Sequence, residues 1–264
     1  MIIGITRAER FSPNSIDNDR AIMQAVIGLL RGKMIAEEDF CGLPPAPGNT
    51  ILSMARLPRT LQLLKQCEAS GTTVINPARG VENCRRSVLD GIMRSAAIPM
   101  PPTTGKDGYW IKRGDAAAQS PSDVVFCENE AELELAEKRF TDSGITDYVV
   151  SAHVCGDLVK FYGVEGTGFF RVYYPTEDGI SKFGDEKRNG IAHHYDYDTG
   201  RLQSEAERLS ALVGTPIYGG DAVISASGEF FIIDFNDWPS FARCREDAAR
   251  AIAGLVERIN ENGK

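Results

Sequence analysis

At 264 residues the chain can bury a sizeable core and is long enough for two domains or for one with subdomains. Its 42% hydrophobic and 25% charged residues fit a soluble globular protein, and a formal net charge of −8 argues against nonspecific affinity for nucleic acid or an anionic membrane. The first residues lack the basic region and long apolar run of a signal peptide, and no stretch reaches about eighteen uninterrupted apolar residues, so a cytoplasmic location is expected.

In chain order, a short apolar strand over 2–5 leads through a polar loop to a helix over 17–31 carrying Ile22, Met23, Val26, Ile27, Leu29 and Leu30. A second strand over 34–36, a Pro/Gly-rich loop over 42–49, a third strand over 51–55, a helix over 57–70 ending at Gly71 and a strand over 74–77 follow. This alternation predicts an α/β unit with a mainly parallel sheet. A helix over 84–97 runs into Ile98-Pro99-Met100-Pro101-Pro102-Thr103, where the prolines forbid helix and impose an extended backbone, so a subdomain boundary is placed near residue 80. Next come strands over 109–115 and 124–127, and a helix over 129–140 with Leu133, Leu135 and Ala136 turned inward. Strands over 147–154, 158–164 and 168–174 precede a polar, glycine-bearing loop over 175–197, a helix over 204–213, a hairpin, and a final amphipathic helix over 248–260. Trp238 and Phe241 are expected to pack under the hairpin. The six cysteines, at 41, 67, 84, 127, 155 and 244, form no CxxC pair and read as free thiols, with neither Cys84 nor Cys155 marked as an activated thiolate.

The hairpin carries the chemistry. Two runs rich in β-branched and aromatic residues flank Ser227-Gly228. With those two as the loop, Ala226 faces Glu229 and Asp221 falls opposite Asp234. Asn236 projects to the same face because side chains alternate along a strand. Cross-strand neighbours have Cβ atoms about 4.5–5.5 Å apart, and like charges placed so are destabilising unless a positive charge lies between them. A divalent cation would supply it, and carboxylate and amide oxygens are the hard ligands magnesium prefers. The alternative is an ordinary solvent-facing hairpin with two acidic residues on its wet side.

Taken together, the α/β unit, the strand bearing Ile111-Lys112, the strand-turn-strand around Gly156-Asp157 and the hairpin with Asp221, Asp234 and Asn236 resemble the ATP-grasp superfamily. The nearest likeness is to carboxylate-amine ligases such as D-alanyl-D-alanine ligase, glutathione synthetase and ribosomal-protein glutamate ligases, and it extends over residues 2–256. The resemblance implies an α/β (α+β) fold with an N-terminal pre-ATP-grasp domain, 1–80, followed by two α+β subdomains, 81–148 and 149–264, that clamp ATP. It implies that Asp221, Asp234 and Asn236, spaced thirteen then two residues apart, hold magnesium. Asp234-Phe235-Asn236 stands where the family typically has Glu-x-Asn, which shortens the carboxylate by one methylene. Lys112 matches the lysine that contacts the α- and β-phosphates, Arg86 falls where the family has its first lysine, and Lys160 resembles a basic residue directed at the phosphates in some members. A phosphate loop would occupy Gly114-Asp115-Ala116-Ala117-Ala118-Gln119-Ser120. Adenine would meet the main chain of Val150-Ser151-Ala152-His153, with Ser151 and His153 in the nucleotide site and Asp157 on the ribose. Arg171 would bind a substrate carboxylate or stabilise the acyl-phosphate adduct. His193 and His194 stand either as bases toward an attacking amine or as polar loop residues. Gly219 and Gly220 could offer N–H groups to an oxyanion, and the 175–197 loop could close over the site to exclude water.

The activity so implied is an ATP- and magnesium-dependent ligase that joins a carboxylate to an amine through an acylphosphate. An ATP-grasp kinase acting on a small-molecule hydroxyl and a non-catalytic nucleotide-binding protein are the alternatives. A dinucleotide enzyme is poorly supported, since Gly4-Ile5-Thr6-Arg7 offers no GxGxxG after the first strand. The expected partners are a small-molecule carboxylate and an amine, amino acid or peptide among them, with no nucleic acid and no membrane, and pairing into a homodimer through the N-terminal sheet is compatible with the resemblance.

Overall fold

The computed structural model describes residues 1–42, 48–115, 121–175, 177 and 188–262. The expected phosphate loop beyond Asp115, and residues 176 and 178–187 of the expected 175–197 loop, lie outside these residues. Three sheets organise the described residues. The first is parallel throughout, with order β2-β1-β3-β4 from β1 (Ile2–Thr6), β2 (Lys33–Ala36), β3 (Thr50–Ser53) and β4 (Thr73–Ile75). β1 and β3 are buried along almost their whole length, on both faces, because such a sheet is covered on both sides. On one face α1 (Ile16–Leu30) packs Ile22, Met23 and Val26 against Ile252 and Val256 of α7 (Arg245–Asn262); on the other, α2 (Pro58–Ala69) supplies Leu61 and Leu64.

The second sheet is antiparallel, order β6-β5-β7, from β5 (Tyr109–Arg113), β6 (Val124–Cys127) and β7 (Tyr148–Ala152). Tyr109, Ile111 and Cys127 meet Ala136 and Phe140 of α5 (Glu130–Asp142). The Asn129 side chain accepts from the Glu132 N–H at 3.0 Å while Glu132 accepts from the Glu128 N–H at 2.9 Å, a reciprocal cap that starts α5 where the sequence places it. Leu135 is not inward: it is 61% exposed, because Leu133, Ala136 and Phe140 hold the 3.6-residue stripe and Leu135 falls about a hundred degrees off it. The helix expected over 84–97 is α4 (Arg86–Ser95), and a short helix not expected from the sequence, α3 (Ala78–Asn83), precedes it. Arg85 is extended at the break, and the Ser87 N–H of the first α4 turn donates to the Gly114 carbonyl at 3.3 Å, which ties α4 to the end of β5.

The third sheet, order β11-β10-β8-β9, is antiparallel and comprises β8 (Asp157–Val164), β9 (Phe169–Tyr173), β10 (Ile217–Ile224) and β11 (Phe230–Asp237). One face buries Val159, Phe161, Tyr218, Ala222 and Phe235 under Leu202, Ala206 and Leu209 of α6 (Thr199–Val213) and Leu89 and Met93 of α4. α6 begins at Thr199, earlier than expected, because the Asp198 carboxylate caps the Arg201 N–H at 2.9 Å. Trp238 and Phe241 are fully buried, as expected.

The hairpin corrects the expected turn. The Gly228 N–H donates to the Ser225 carbonyl at 3.0 Å and the Ser225 N–H to the Glu229 carbonyl at 2.8 Å, so the loop has three residues, Ala226, Ser227 and Gly228, with Gly228 left-handed at φ 81°. Ser225 rather than Ala226 therefore faces Glu229. That would slip Asp234 out of line with Asp221, but a β-bulge restores it: Ala222 pairs with Ile232 and Asp221 with Asp234, leaving Ile233 as the extra residue. Gly220 lies beside this bulge. A Cβ there would sit 2.3 Å from the Asp234 carbonyl oxygen and 2.4 Å from the Phe161 ring. Gly220→Ala is expected to cost about 1–3 kcal/mol in urea unfolding, the cost of overpacking a filled site. Among the described residues no helix is long and apolar enough to cross a membrane.

Candidate active site

The face of the third sheet away from α6 presents two rows of side chains. Strand register sets Tyr173, Lys160, Asp221 and Asp234 side by side from β9 to β11, and Arg171, Tyr162, Gly219 and Asn236 in the row beside them. The three residues predicted to hold metal are thus brought together with Lys160. Lys160 Nζ donates to Asp221 Oδ1 at 2.8 Å. Asn236 Nδ2 donates to Asp234 Oδ2 at 2.9 Å, and the Phe235 N–H to Asp234 Oδ1 at 3.0 Å. Among the described residues no group of three His, Cys, Asp or Glu side chains gathers as a metal centre. Two opposed carboxylates and an amide whose oxygen points away from its own hydrogen bond are instead an incomplete set of hard oxygen donors. That suits magnesium, which completes its octahedron with water and phosphate oxygens.

The second sheet contributes cations. Lys112 lies two residues after Trp110 and so shares its face, opposite the α5 side. Burial and then the Arg86 guanidinium hold the Lys112 ammonium below the ordinary lysine value, while Asp234 and Asp221 pull it back up. The field of the acidic row therefore reaches the other sheet. Arg86, first residue of α4, donates to the Arg113 carbonyl at the end of β5. Ser87 Oγ donates to Asp147 Oδ2 at 3.0 Å and the Gly114 N–H to the Asp147 carbonyl at 2.8 Å, fixing the start of α4 against β5. Arg113 pairs with Asp115 at 2.6 Å, so the acidic residue at the start of the expected phosphate loop already has a cation on it.

Near the end of β7, Ser151 stands opposite Trp110 in the register. Trp110 Nε1 donates to His153 Nδ1 at 3.1 Å, the Phe126 ring meets Trp110 edge-on with centroids 5.2 Å apart, and the Arg188 guanidinium lies 3.6 Å from the Phe126 centroid. The N–H groups of Ala152 and His153 are engaged by the Pro102 and Gly108 carbonyls at 2.7 and 2.8 Å. Burial and then Arg188 lower the His153 imidazole below the ordinary histidine value. A histidine so depressed binds its proton more readily in the unfolded chain. Its stabilising contribution is therefore present above the ordinary histidine value and is lost as pH falls from there to the folded value. The melting temperature should drop on acidification through that window, and His153→Gln should flatten the drop.

Asp157 is buried, and its two oxygens accept the N–H groups of His193 at 2.7 Å and Tyr195 at 2.9 Å. Its carboxylate is thus committed to holding the 193–195 segment, whereas the resemblance set it on a ribose. His194 pairs with Glu177 at 2.5 Å and packs on Tyr174, while His193 stacks on Tyr195, so both make local contacts. Arg171 sits at the β9 edge of the Asn236 row, 3.6 Å from Asp247. Gly219 and Gly220 lie in β10, an interior strand paired on both sides, so their N–H groups belong to the ladder rather than to an oxyanion.

Several residues of this region were not singled out from sequence. Trp110 was legible by alternation from Lys112. Asp237, Arg7 and Arg56 were not, since no local pattern connects them.

No protein-family model matches the chain, and no curated protein matches it by sequence. Solved structures do match it over nearly its full length. D-alanyl-alanine synthetase A from Vibrio cholerae O1 biovar eltor str. N16961 aligns with a TM-score of 0.66 at 12% identity, covering 99% of this chain and 98% of that one. The ATP-grasp ligase PsnB complexed with a minimal precursor gives 0.64 at 13%, covering 97% and 98%. A RimK domain ATP-grasp protein from Sphaerobacter thermophilus DSM 20745 gives 0.62 at 19%, covering 97% and 100%. The chain has the ATP-grasp fold.

Proposed function

We propose that this chain is an ATP- and magnesium-dependent ligase that joins a carboxylate to an amine. The observation that carries the reading is the row of Lys160, Asp221 and Asp234, with Asn236 beside it, on one face of the third sheet, whose acidic charge also acts to raise the pKa of the Lys112 ammonium of the second sheet. Such an arrangement suits a polyphosphate whose negative charge is met by side-chain cations on one side and by carboxylate-held metal on the other. PsnB has been seen with magnesium and ADP, and with AMPPNP. On this reading residues 1–80 form the pre-ATP-grasp domain, and 81–148 and 149–264 the two subdomains that clamp the nucleotide.

Asp221, Asp234 and Asn236 would hold magnesium, which when bound neutralises phosphate charge and acts as a Lewis acid. Lys112 and Arg86 screen the phosphates, with Lys160 positioned at Asp221 to join them once metal takes that carboxylate. A substrate carboxylate oxygen attacks the γ-phosphorus and ADP leaves; the amine nitrogen then attacks the acyl carbon and phosphate leaves. Arg171, on the same face as Asn236, is placed to orient the carboxylate or stabilise the adduct. Ser151 and His153 belong to the adenine end, where the Trp110, Phe126 and Arg188 group offers stacking surface. Asp157 drops out of the nucleotide set because its oxygens are spent within the fold.

Calorimetry with AMPPNP, with and without magnesium, tests this. Magnesium-dependent binding, followed by phosphate release from ATP with one member of an amino-acid and peptide panel and detection of the amide product, is the expected result. Phosphorylation of a hydroxyl would favour a kinase, and absence of AMPPNP binding to folded protein would sink the proposal.

A further inference from the structure

β11 carries Asp234 and Asn236 yet is the outermost strand of its sheet, and it bulges at Ile233 beside the first of them. An edge strand broken by a bulge has a weakened ladder and needs support from outside the sheet. Its upper half has some: the Ile232 N–H donates to the Pro99 carbonyl at 2.8 Å. The lower half is held by two arginines from the parallel sheet. Asp237, the residue after Asn236, is 1% exposed, and Arg56 donates to its Oδ1 at 2.5 Å. Arg7 reaches Asp237 Oδ2 at 3.5 Å and the backbone carbonyls of Asp237 and Trp238 at 3.3 and 2.9 Å, and it anchors to Asp19 Oδ2 at 3.1 Å. Glu37 fixes the loops that carry both arginines by accepting the N–H groups of Ala8, Arg56 and Leu57. Trp238 is left-handed at φ 39°, a conformation a non-glycine residue keeps only where its surroundings enforce it, and Arg7 holds its carbonyl.

We propose that Arg7 and Arg56 are positioning residues for the metal strand: through Asp237 and the Trp238 carbonyl they lock the end of β11 to the carboxyl ends of β1 and β3, so that Asn236 and Asp234 are held on the sheet face they share with Asp221 and Lys160. Resting on the ligase reading for what those two residues bind, the inference makes the N-terminal sheet part of the metal site without touching the metal. Loss of a hydrogen-bonding partner that orients a metal ligand typically costs about 10- to 100-fold in metal affinity.

The test compares wild type, Arg56→Ala and Arg56→Lys by two measurements: hydrogen exchange of the amides from 234 to 238 in the protein alone, and Mn²⁺ binding with AMPPNP followed by electron paramagnetic resonance. Arg56→Ala is expected to speed exchange in that segment and to weaken Mn²⁺ about 10-fold or more, and Arg56→Lys, which keeps the charge but loses the fork, to fall between. Arg56→Lys also carries the test if the alanine variant does not fold. Unchanged exchange, or faster exchange with wild-type Mn²⁺ affinity, overturns the inference. Failure of wild-type protein to bind Mn²⁺ with AMPPNP is a different outcome: it overturns the ligase reading, and the exchange data alone then decide whether Arg56 fixes the end of β11.

Discussion

Asp234→Asn is expected to leave the fold intact and to remove most metal-dependent nucleotide turnover. The substituted amide is isosteric; its oxygen can keep the Phe235 N–H that Asp234 Oδ1 now accepts, and the Asn236 amide, which now donates to Asp234 Oδ2, can turn to offer its oxygen to the new NH2 group. The unliganded protein should melt no lower than wild type, because two carboxylates opposed across a β-ladder repel each other and the substitution relieves the pair. Metal binding should move the other way. One of the two opposed carboxylates is lost, and the charge stabilisation a bound divalent ion provides is worth several kcal/mol, so a fall of about 100-fold or more in phosphate release is expected. Asp234→Glu, which keeps the charge and the ligand type and lengthens the side chain by one methylene, should retain a large part of the activity. Wild-type turnover by Asp234→Asn would remove the acidic hairpin from the mechanism.

The hairpin also shows how much of this molecule could be read in advance. Counting outward from Ser227-Gly228 placed Asp221 opposite Asp234, and they do face each other, but the turn has one more residue than the count assumed and the bulge at Ile233 absorbs the slip. A bulge of this kind leaves no residue signature, so the facing pair was legible while its route was not. Strand alternation made the shared face of Asp234 and Asn236 readable, and the order of apolar runs gave the parallel sheet its members. What escaped was set by tertiary contacts. Leu135 looked like a core residue by hydropathy alone, and only the helix phase set by Ala136 and Phe140 excludes it. Asp157 looked available at a glycine turn, but the chain returning at His193 and Tyr195 claims its oxygens. The Arg7, Asp19, Arg56 and Asp237 network joins residues as far as 230 positions apart, and no periodicity reports a contact of that separation.

The second large effect is expected at Lys112, where stability and function should separate. Lys112 is half-buried beside Arg86, and both desolvation and that like charge disfavour its protonated form. The folded protein thus binds this proton less readily than the unfolded chain does, so stability rises with pH between the folded value and the ordinary lysine value. Lys112→Met keeps the length and apolar stem and deletes the charge. The variant should melt at or above the wild-type temperature at pH 7, and the lysine's share of the alkaline rise in stability should vanish with it. Nucleotide affinity should fall in the same protein, because a charge-assisted hydrogen bond to phosphate is worth about 1.5–3 kcal/mol, or roughly 10- to 150-fold in binding constant. The opposition of signs is the informative part. A lysine that served only to pair with Asp234 and Asp221 would, when removed, leave those carboxylates less compensated and lower the melting temperature. A lysine kept charged against burial for an anionic ligand gives the reverse, and AMPPNP titrations beside thermal melts of the two proteins distinguish the cases.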